Sequence, residues 1–240
     1  DTGKAALEGF ADVPGTEIVV FFPNKGVSEV QERQMVSQEG ANTHVFAING
    51  NFDDAQTGVK KIFNDDAFAE KLKETGCRLS SANSINIGRL VPQVAYYVYG
   101  YMKLIEQGVI EDGDLINVAV PTGNFGNILA AYYAKQMGVP IDKLICASNK
   151  NKVLTDFINT GRYDVRREYM TNSPSMDILI SSNLERLLYH LSGGDGMKIK
   201  ELMEALDTKK SYEIDETIRA GLTDFYGGFC NVEETNEAIG

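Results

Sequence analysis

One stretch limits the fold more than any other. Asn117-Val118-Ala119-Val120 is a short apolar run of the kind that forms a strand buried on both faces. Pro121 cannot donate to a sheet ladder, so the strand is expected to stop there. Thr122-Gly123-Asn124-Phe125-Gly126-Asn127 then makes a tight turn, and Ile128-Leu129-Ala130-Ala131 opens a strong helix pattern. A turn of this composition leaves backbone N–H groups free at the positive end of a helix dipole, which suits a phosphate. Gly123 and Gly126 allow close approach to an anion, and Asn best tolerates left-handed backbone there among the other residue types. The spacing is neither Gly-x-Gly-x-x-Gly nor a P-loop, since no Lys-Ser or Lys-Thr follows the last glycine. From the pattern alone, an anion cradle and a strand-to-helix turn shaped only for geometry stand level.

The flanking pattern extends the same theme. Asp1 or Thr2 can cap a helix running to about Ala11, and Glu17–Phe22 reads as a buried strand ended by Pro23. Ser28 with Gln31 forms a capping box for a helix running to Glu39. Thr43–Ile48 is a second strand, and Asp53–Phe63 and Asp66–Glu74 are helices. This alternation predicts parallel strands with helices packed on them. A polar stretch, Ser80–Arg89, leads into a long helix from about Ile87 to Gln107 with Pro92 in its early turns. Tyr96, Tyr97, Tyr99 and Tyr101 read as packing residues of that helix. Beyond the central turn, Lys143–Ala147 is a strand and Asn149–Asn159 a short helix stopped by Gly161. Arg162–Met170 is extended and charged. Ile178–Leu191 is an amphipathic helix with Leu184, Leu187, Leu188 and Leu191 inward, and Met197–Leu206 is another helix. The chain from Lys209 resists assignment until a helical segment from Glu233. Two α/β domains are expected, residues 1–82 and 83–240, although no linker composition marks the boundary.

Composition narrows the function classes. A chain of 240 residues with 43% hydrophobic content can bury a real core. A net charge of −11 opposes binding to nucleic acid or to an anionic membrane surface, so the positive partners of any anionic ligand must be local. Cys77, Cys146 and Cys230 are odd in number and widely spaced, which predicts free thiols and a reducing, cytoplasmic setting. With only His44 and His190, neither a Ser-His-Asp triad nor a His-rich metal site is expected. No apolar run is long enough to cross a bilayer, and no signal peptide is visible. The chain starts in one helical pattern and stops in another, so it is expected to be a piece of a longer protein.

Four stretches occur in order: Asp1-Thr2-Gly3, Asn83-Ser84-Ile85-Asn86, Pro121-Thr122-Gly123-Asn124-Phe125-Gly126-Asn127 and Ser173-Pro174-Ser175-Met176-Asp177. Together they closely resemble threonine synthase of the longer bacterial and fungal type, over essentially the whole chain. The resemblance implies the tryptophan-synthase-β-like, fold-type-II architecture: two three-layer α/β/α domains with mostly parallel sheets, here truncated at both ends. It also implies a lyase that depends on pyridoxal 5′-phosphate and converts O-phospho-L-homoserine and water to L-threonine and phosphate. On that resemblance Gly123, Asn124, Phe125, Gly126 and Asn127 would hold the cofactor phosphate. Asp1 and Thr2 would end a loop facing the cofactor ring and the substrate carboxylate. Asn83, Ser84 and Asn86 would line the cleft, with Arg89 meeting the substrate phosphate, since a guanidinium pairs bidentately with phosphate oxygens. Plainer roles compete: Asp1-Thr2 as a helix cap, Asn83, Ser84 and Asn86 as a turn, and Arg89 in a surface ion pair.

The resemblance places the Schiff-base lysine upstream of Asp1 and the pyridine-nitrogen segment after Gly240. No lysine present, among them Lys4, Lys25 and Lys60, stands in that context, so no catalytic residue is assigned and these 240 residues alone are expected to be inactive. Two alternatives remain at this point. One is another lyase of the same cofactor fold, related to threonine dehydratase or cysteine synthase. The other is a non-catalytic α/β domain that binds a phosphorylated small molecule.

Overall fold

Local capping chemistry sets where the first elements begin. The computed structural model describes residues 2–165, 169–173 and 176–239, with the side chain of Asp53 left aside. The chain divides into two compact units, Asp1–Asn83 and Ser84–Gly240. In the first unit, helix α1 (Thr2–Phe10) is followed by strand β1 (Ile18–Pro23), helix α2 (Glu29–Val36) and strand β2 (Thr43–Ile48). Helices α3 (Phe52–Phe63) and α4 (Asp66–Glu74) complete it. Ser28 and Gln31 form the expected reciprocal capping box at α2, and Asn51 and Asp54 form a second at α3. Helix α2 ends at Val36, earlier than its pattern suggests, because the backbone turns at Ser37.

Strands β1 and β2 pair in parallel from Ile18 opposite Thr43 to Pro23 opposite Ile48. Leu7 of α1, Phe22 and Met35 of α2 form the buried core of this unit, with Ile18, Val20 and Val45 packed against them. The buried strand expected over Glu17–Phe22 is covered on one face only. Val19 is 46% and Phe21 39% exposed, and Phe21 stacks on Phe46, itself 51% exposed, at 5.7 Å. In a two-stranded ribbon, side chains alternate between faces and the helix-covered face takes only every second residue.

The second unit begins with a short helix α5 (Ile87–Leu90), a 3-10 turn at Val91–Gln93 and helix α6 (Val94–Glu106). The single long helix expected from Ile87 is therefore tightened at Pro92, whose missing N–H and ring disfavour regular helical bonding. Tyr101 is buried and Tyr97 half-buried, as packing residues should be, whereas Tyr96 and Tyr99 face outward.

Next come β3 (Ile116–Pro121), α7 (Gly126–Gln136), β4 (Ile141–Ser148), α8 (Val153–Thr160) and β5 (Arg162–Asp164). After these lie α9 (Leu184–Leu191), α10 (Gly196–Lys209), β6 (Ser211–Glu213), α11 (Glu216–Ala220), β7 (Phe225–Phe229) and α12 (Val232–Ile239). Strands β3, β4 and β7 form a parallel sheet in that order, and β5 pairs antiparallel with β6. Helices with mostly parallel sheets make this an α/β fold. Helix α7 is buried along most of its length (Ile128, Leu129, Ala130, Ala131, Tyr132 and Ala134), which explains why its sequence is apolar nearly all round. Across the antiparallel pair, the rings of Tyr163 and Tyr212 stack at 5.1 Å, and Phe157 of α8 meets both edge-on. Among the described residues no helix is long and apolar enough to cross a membrane.

Two assignments change. The helix expected over Asn149–Asn159 starts only at Val153, because Asn149 and Asn151 are drawn into side-chain bonds with residues 169–177. The helix expected from Ile178 starts only at Leu184, leaving 178–183 irregular. Of the stretch expected to be extended, Arg162–Asp164 is strand, and residues 166–168 lie outside the described residues.

Strand β7 has a Gly-Gly pair that argues against a strand by propensity. Its reason is space: a Cβ at Gly227 would sit 2.9 Å from the Thr155 carbonyl oxygen in α8, which is backbone and cannot swing aside. Gly228 meets nothing closer than a ring carbon of Tyr226 at 3.7 Å. Gly227→Ala is therefore expected to lower unfolding stability by about 1–3 kcal/mol, the usual cost of overpacking, and Gly228→Ala by clearly less. Urea titrations of the two variants check this.

Burial also sets an alkaline limit. It pushes the Tyr97 hydroxyl up to about 12, and the Cys146 thiol up to about 12 against a smaller lowering by its hydrogen bond with Thr122. Both groups keep their protons in the folded chain where the unfolded chain releases them. Their contribution is complete below the ordinary pKa values, near 9 for the thiol and 10 for the phenol, and is lost as pH rises toward 12. The melting midpoint should fall across that interval, with Tyr97→Phe showing a shallower fall.

Candidate functional site

The loop between β3 and α7 is built by what it cannot satisfy internally. The Thr122 amide still belongs to the sheet, donating to the Ala147 carbonyl at 2.8 Å, and its hydroxyl caps the Val120 carbonyl at 2.7 Å. From Gly123 to Ile128 no backbone amide donates to any described residue, and the first bond of α7 runs from the Leu129 amide to the Phe125 carbonyl at 3.1 Å. Thr122, Gly123, Phe125 and Ile128 are buried. A buried N–H without an acceptor costs about 1–3 kcal/mol, so a row of them at a helix N-terminus calls for an anionic ligand.

The residue that turns the chain is not a glycine or an asparagine. Phe125 adopts the left-handed conformation, with φ +64°, while neither Gly123 nor Gly126 has a positive φ. The left-handed form costs a non-glycine residue roughly 1–2 kcal/mol, whereas burying a phenylalanine side chain returns about 1.5–3 kcal/mol. Here the ring is 1% exposed and lies 5.7 Å from the ring of Phe225, so burial wins. The glycines serve closeness instead. A Cβ at Gly123 would reach 2.9 Å from Ile178 Cδ1, and one at Gly126 would reach 3.3 Å from Asn183 Nδ2.

The side chains of the loop look inward to the protein. Asn127 accepts from the Tyr97 hydroxyl at 2.6 Å and donates to Gln93 Oε1 at 2.8 Å. Asn124 Oδ1 accepts from the Ser182 hydroxyl at 3.2 Å. What the five loop residues can offer an anion is therefore mainly their amides.

The other residues singled out by sequence fall in different places. Asp1 lies outside the described residues. Thr2 is the first residue of α1 rather than its cap. In the first unit, the Asn83 amide donates to the Ser81 hydroxyl at 3.1 Å. In the second, Ser84 meets the loop's surroundings: its hydroxyl is 3.2 Å from that of Ser182, which bonds Asn124. Asn86 caps α5 through the Gly88 amide at 2.9 Å, the turn-forming role weighed for it above. Arg89 follows one turn on, and its carbonyl accepts from Gln93, the residue that also holds Asn127.

The last of the four stretches supports the loop after β4. Asp177 Oδ1 accepts from Asn149 Nδ2 at 2.7 Å, Asn151 Nδ2 at 2.8 Å and the Thr171 hydroxyl at 2.8 Å, and Oδ2 accepts from the Thr171 amide at 2.9 Å. Pro174 and Ser175 lie outside the described residues. A groove of about 290 Å³ beside this network is lined by Lys150, Lys152, Tyr169 and Phe229 and includes no residue of the glycine loop. Sequence reasoning missed Ser181, Ser182, Asn183 and Arg186, which surround that loop. The available signal was the Ser-Ser-Asn cluster itself, which interrupts the apolar period of the helix assigned over it.

Comparison with known proteins relates the whole chain to others in sequence and fold. No family model matches the chain. Human threonine synthase-like 1 is 47% identical over 248 aligned positions, which take in the whole chain and 33% of that protein. Threonine synthase of Pseudomonas aeruginosa is 41% identical over 90% of the chain and 44% of its own length. The crystal structure of pyridoxal-phosphate-bound threonine synthase from Brucella melitensis superimposes with a TM-score of 0.84 at 42% identity, covering 98% of this chain and 49% of that one. The chain thus spans about a third to a half of the length of the relatives it matches. In sequence and in fold alike, it belongs to the threonine synthase-like family.

Proposed function

We propose that the chain is the phosphate-cradling part of a threonine synthase, a pyridoxal-phosphate-dependent lyase that converts O-phospho-L-homoserine and water to L-threonine and phosphate. The observation that carries this reading is the row of unpaired amides from Gly123 to Ile128 at the start of a buried helix. They fit the phosphate of pyridoxal phosphate: several N–H donors and a positive helix end meet a dianion without any lysine or arginine being needed. That suits a chain whose net charge is −11.

In this reading each part has a task. Gly123, Asn124, Phe125, Gly126 and Asn127 hold and orient the cofactor through its phosphate, and the buried Phe125 ring keeps water from the back of the loop. The cofactor, when bound, supplies the electron sink for bond changes along the substrate's carbon chain. Arg89, placed one turn into its helix by the Asn86 cap, receives the substrate phosphate, with Ser84 and Asn86 beside it. For Asn83, Asp1 and Thr2, a substrate-binding role rests on the resemblance to threonine synthase alone. The resemblance to threonine synthase puts the lysine that carries the cofactor outside these 240 residues. The chain alone is accordingly read as a binder without turnover.

Equilibrium dialysis tests the reading. Pyridoxal phosphate should bind the 240-residue chain saturably, inorganic phosphate should compete, and pyridoxal should bind at least about tenfold more weakly, since charge-assisted hydrogen bonds contribute about 1.5–3 kcal/mol each. Equal affinity for pyridoxal and its phosphate would remove the loop's assigned role. Steady threonine production from phosphohomoserine by this chain, or a unique lysine fixed to the cofactor by borohydride, would overturn the expected lack of turnover.

A further inference from the structure

A cradle of amides works only if the peptide planes that carry them cannot rotate. In a trans peptide the C=O and N–H point in opposite directions, so fixing one carbonyl aims the amide on its other side. There are no cis peptides among the described residues. Three consecutive planes of the loop are fixed in this way. The Gly123 carbonyl accepts from the Ser181 hydroxyl, which aims the Asn124 amide away from Ser181. The Asn124 carbonyl accepts twice from Asn183, from its backbone amide at 3.1 Å and from Nδ2 at 3.0 Å, which aims the Phe125 amide. The Phe125 carbonyl accepts from the Leu129 amide at 3.1 Å, which aims the Gly126 amide out of the helix end.

The donors are themselves held. The Ser181 amide donates to the Tyr163 hydroxyl at 3.1 Å, and that hydroxyl donates to the Leu179 carbonyl at 2.8 Å, so one buried tyrosine fixes both ends of the 179–181 turn. Asn183 is fully buried, and its Oδ1 accepts from Arg186. The same guanidinium donates to the Ile85 carbonyl at 2.6 Å, in the middle of the Asn-Ser-Ile-Asn stretch. One arginine therefore ties the loop's clamp to the segment that carries Ser84, Asn86 and Arg89.

We infer that Ser181 and Asn183, with Arg186 behind Asn183, are positioning residues that hold the Gly123 and Asn124 carbonyls on one side so that the amides present a ready-made phosphate cradle on the other. This rests on the reading of the loop as a phosphate site, and it explains the irregular 178–183 segment. A helix there would consume the donors that the clamp supplies.

Two substitutions isolate the clamp. Asn183→Asp keeps the acceptor for Arg186 but turns an N–H donor facing the Asn124 carbonyl into an oxygen, so the clamp opens while the packing volume stays the same. Ser181→Ala removes the hydroxyl, and Ser181→Thr restores it. The readout is the ratio of pyridoxal phosphate to pyridoxal affinity in equilibrium dialysis of the full chain, with melting midpoints measured alongside. Asn183→Asp and Ser181→Ala are expected to lower that ratio about tenfold, with pyridoxal affinity unchanged and Ser181→Thr near the parent. A loss of fold alone would move both affinities together. If the parent chain binds pyridoxal phosphate preferentially and folded Ser181→Ala keeps the same ratio, the positioning role is wrong while the phosphate site stands. If the parent chain shows no preference, both fall. Should Asn183→Asp not fold, the Ser181 pair decides alone.

Discussion

Backbone amides at a helix start are costly to leave without an acceptor, and in the β3–α7 loop those from Gly123 to Ile128 donate to no described residue. Everything around the loop follows from that constraint. The strand must stop at Pro121 so that the chain leaves the sheet, and Phe125 must take a left-handed backbone so that the chain enters α7 at once. The side-chain burial of Phe125 and the apolar surface of α7 supply the free energy that holds this conformation without help from the amides. A loop held in this way needs no rearrangement to receive a ligand, which lowers the cost of binding one.

The surrounding polar side chains divide their work by direction. On the carbonyl side of the loop stand Ser181, Asn183 and the helix amide of Leu129. Tyr97 and Gln93 engage the Asn127 side chain. No described acidic side chain is bonded to the loop, although the chain carries 34 acidic residues. A carboxylate accepting from one of those amides would fill the cradle and repel a phosphate. A loop held by neutral hydroxyls and carboxamides avoids that competition.

Much of the fold was legible because it is set by local chemistry. Ser28 with Gln31, Pro121 after an apolar run, and the leucines of α9 each act within a few residues, and the structure keeps all three. What was not legible depends on partners distant in sequence. The glycines of β7 look wrong for a strand until the α8 backbone lies against Gly227, and the helix pattern over 178–183 looks sound until Ser181 and Asn183 are claimed by carbonyls nearly sixty residues upstream. In the site, the glycine loop could be picked out as a tight strand-to-helix turn because its signal is contiguous, while an anion cradle and a turn shaped only for geometry stood level. Which residue would take the left-handed turn could not, because propensity favours Asn or Gly there and the burial of the Phe125 ring overrides it.

That last inversion bears on how such a loop keeps its shape. Had Gly123 or Gly126 supplied the left-handed turn, the loop would be free to visit several conformations when empty, since glycine populates both signs of φ about equally. With Phe125 in that position, leaving the left-handed state means dragging a buried ring out of its contact with Phe225, which costs about as much as the side chain's burial is worth. The glycines on either side are then needed only to let Ile178 and Asn183 come close. Rigidity comes from the phenylalanine, proximity from the glycines, and direction from the clamp on the carbonyls. Because the three functions rest on different residues, each can be altered without altering the other two.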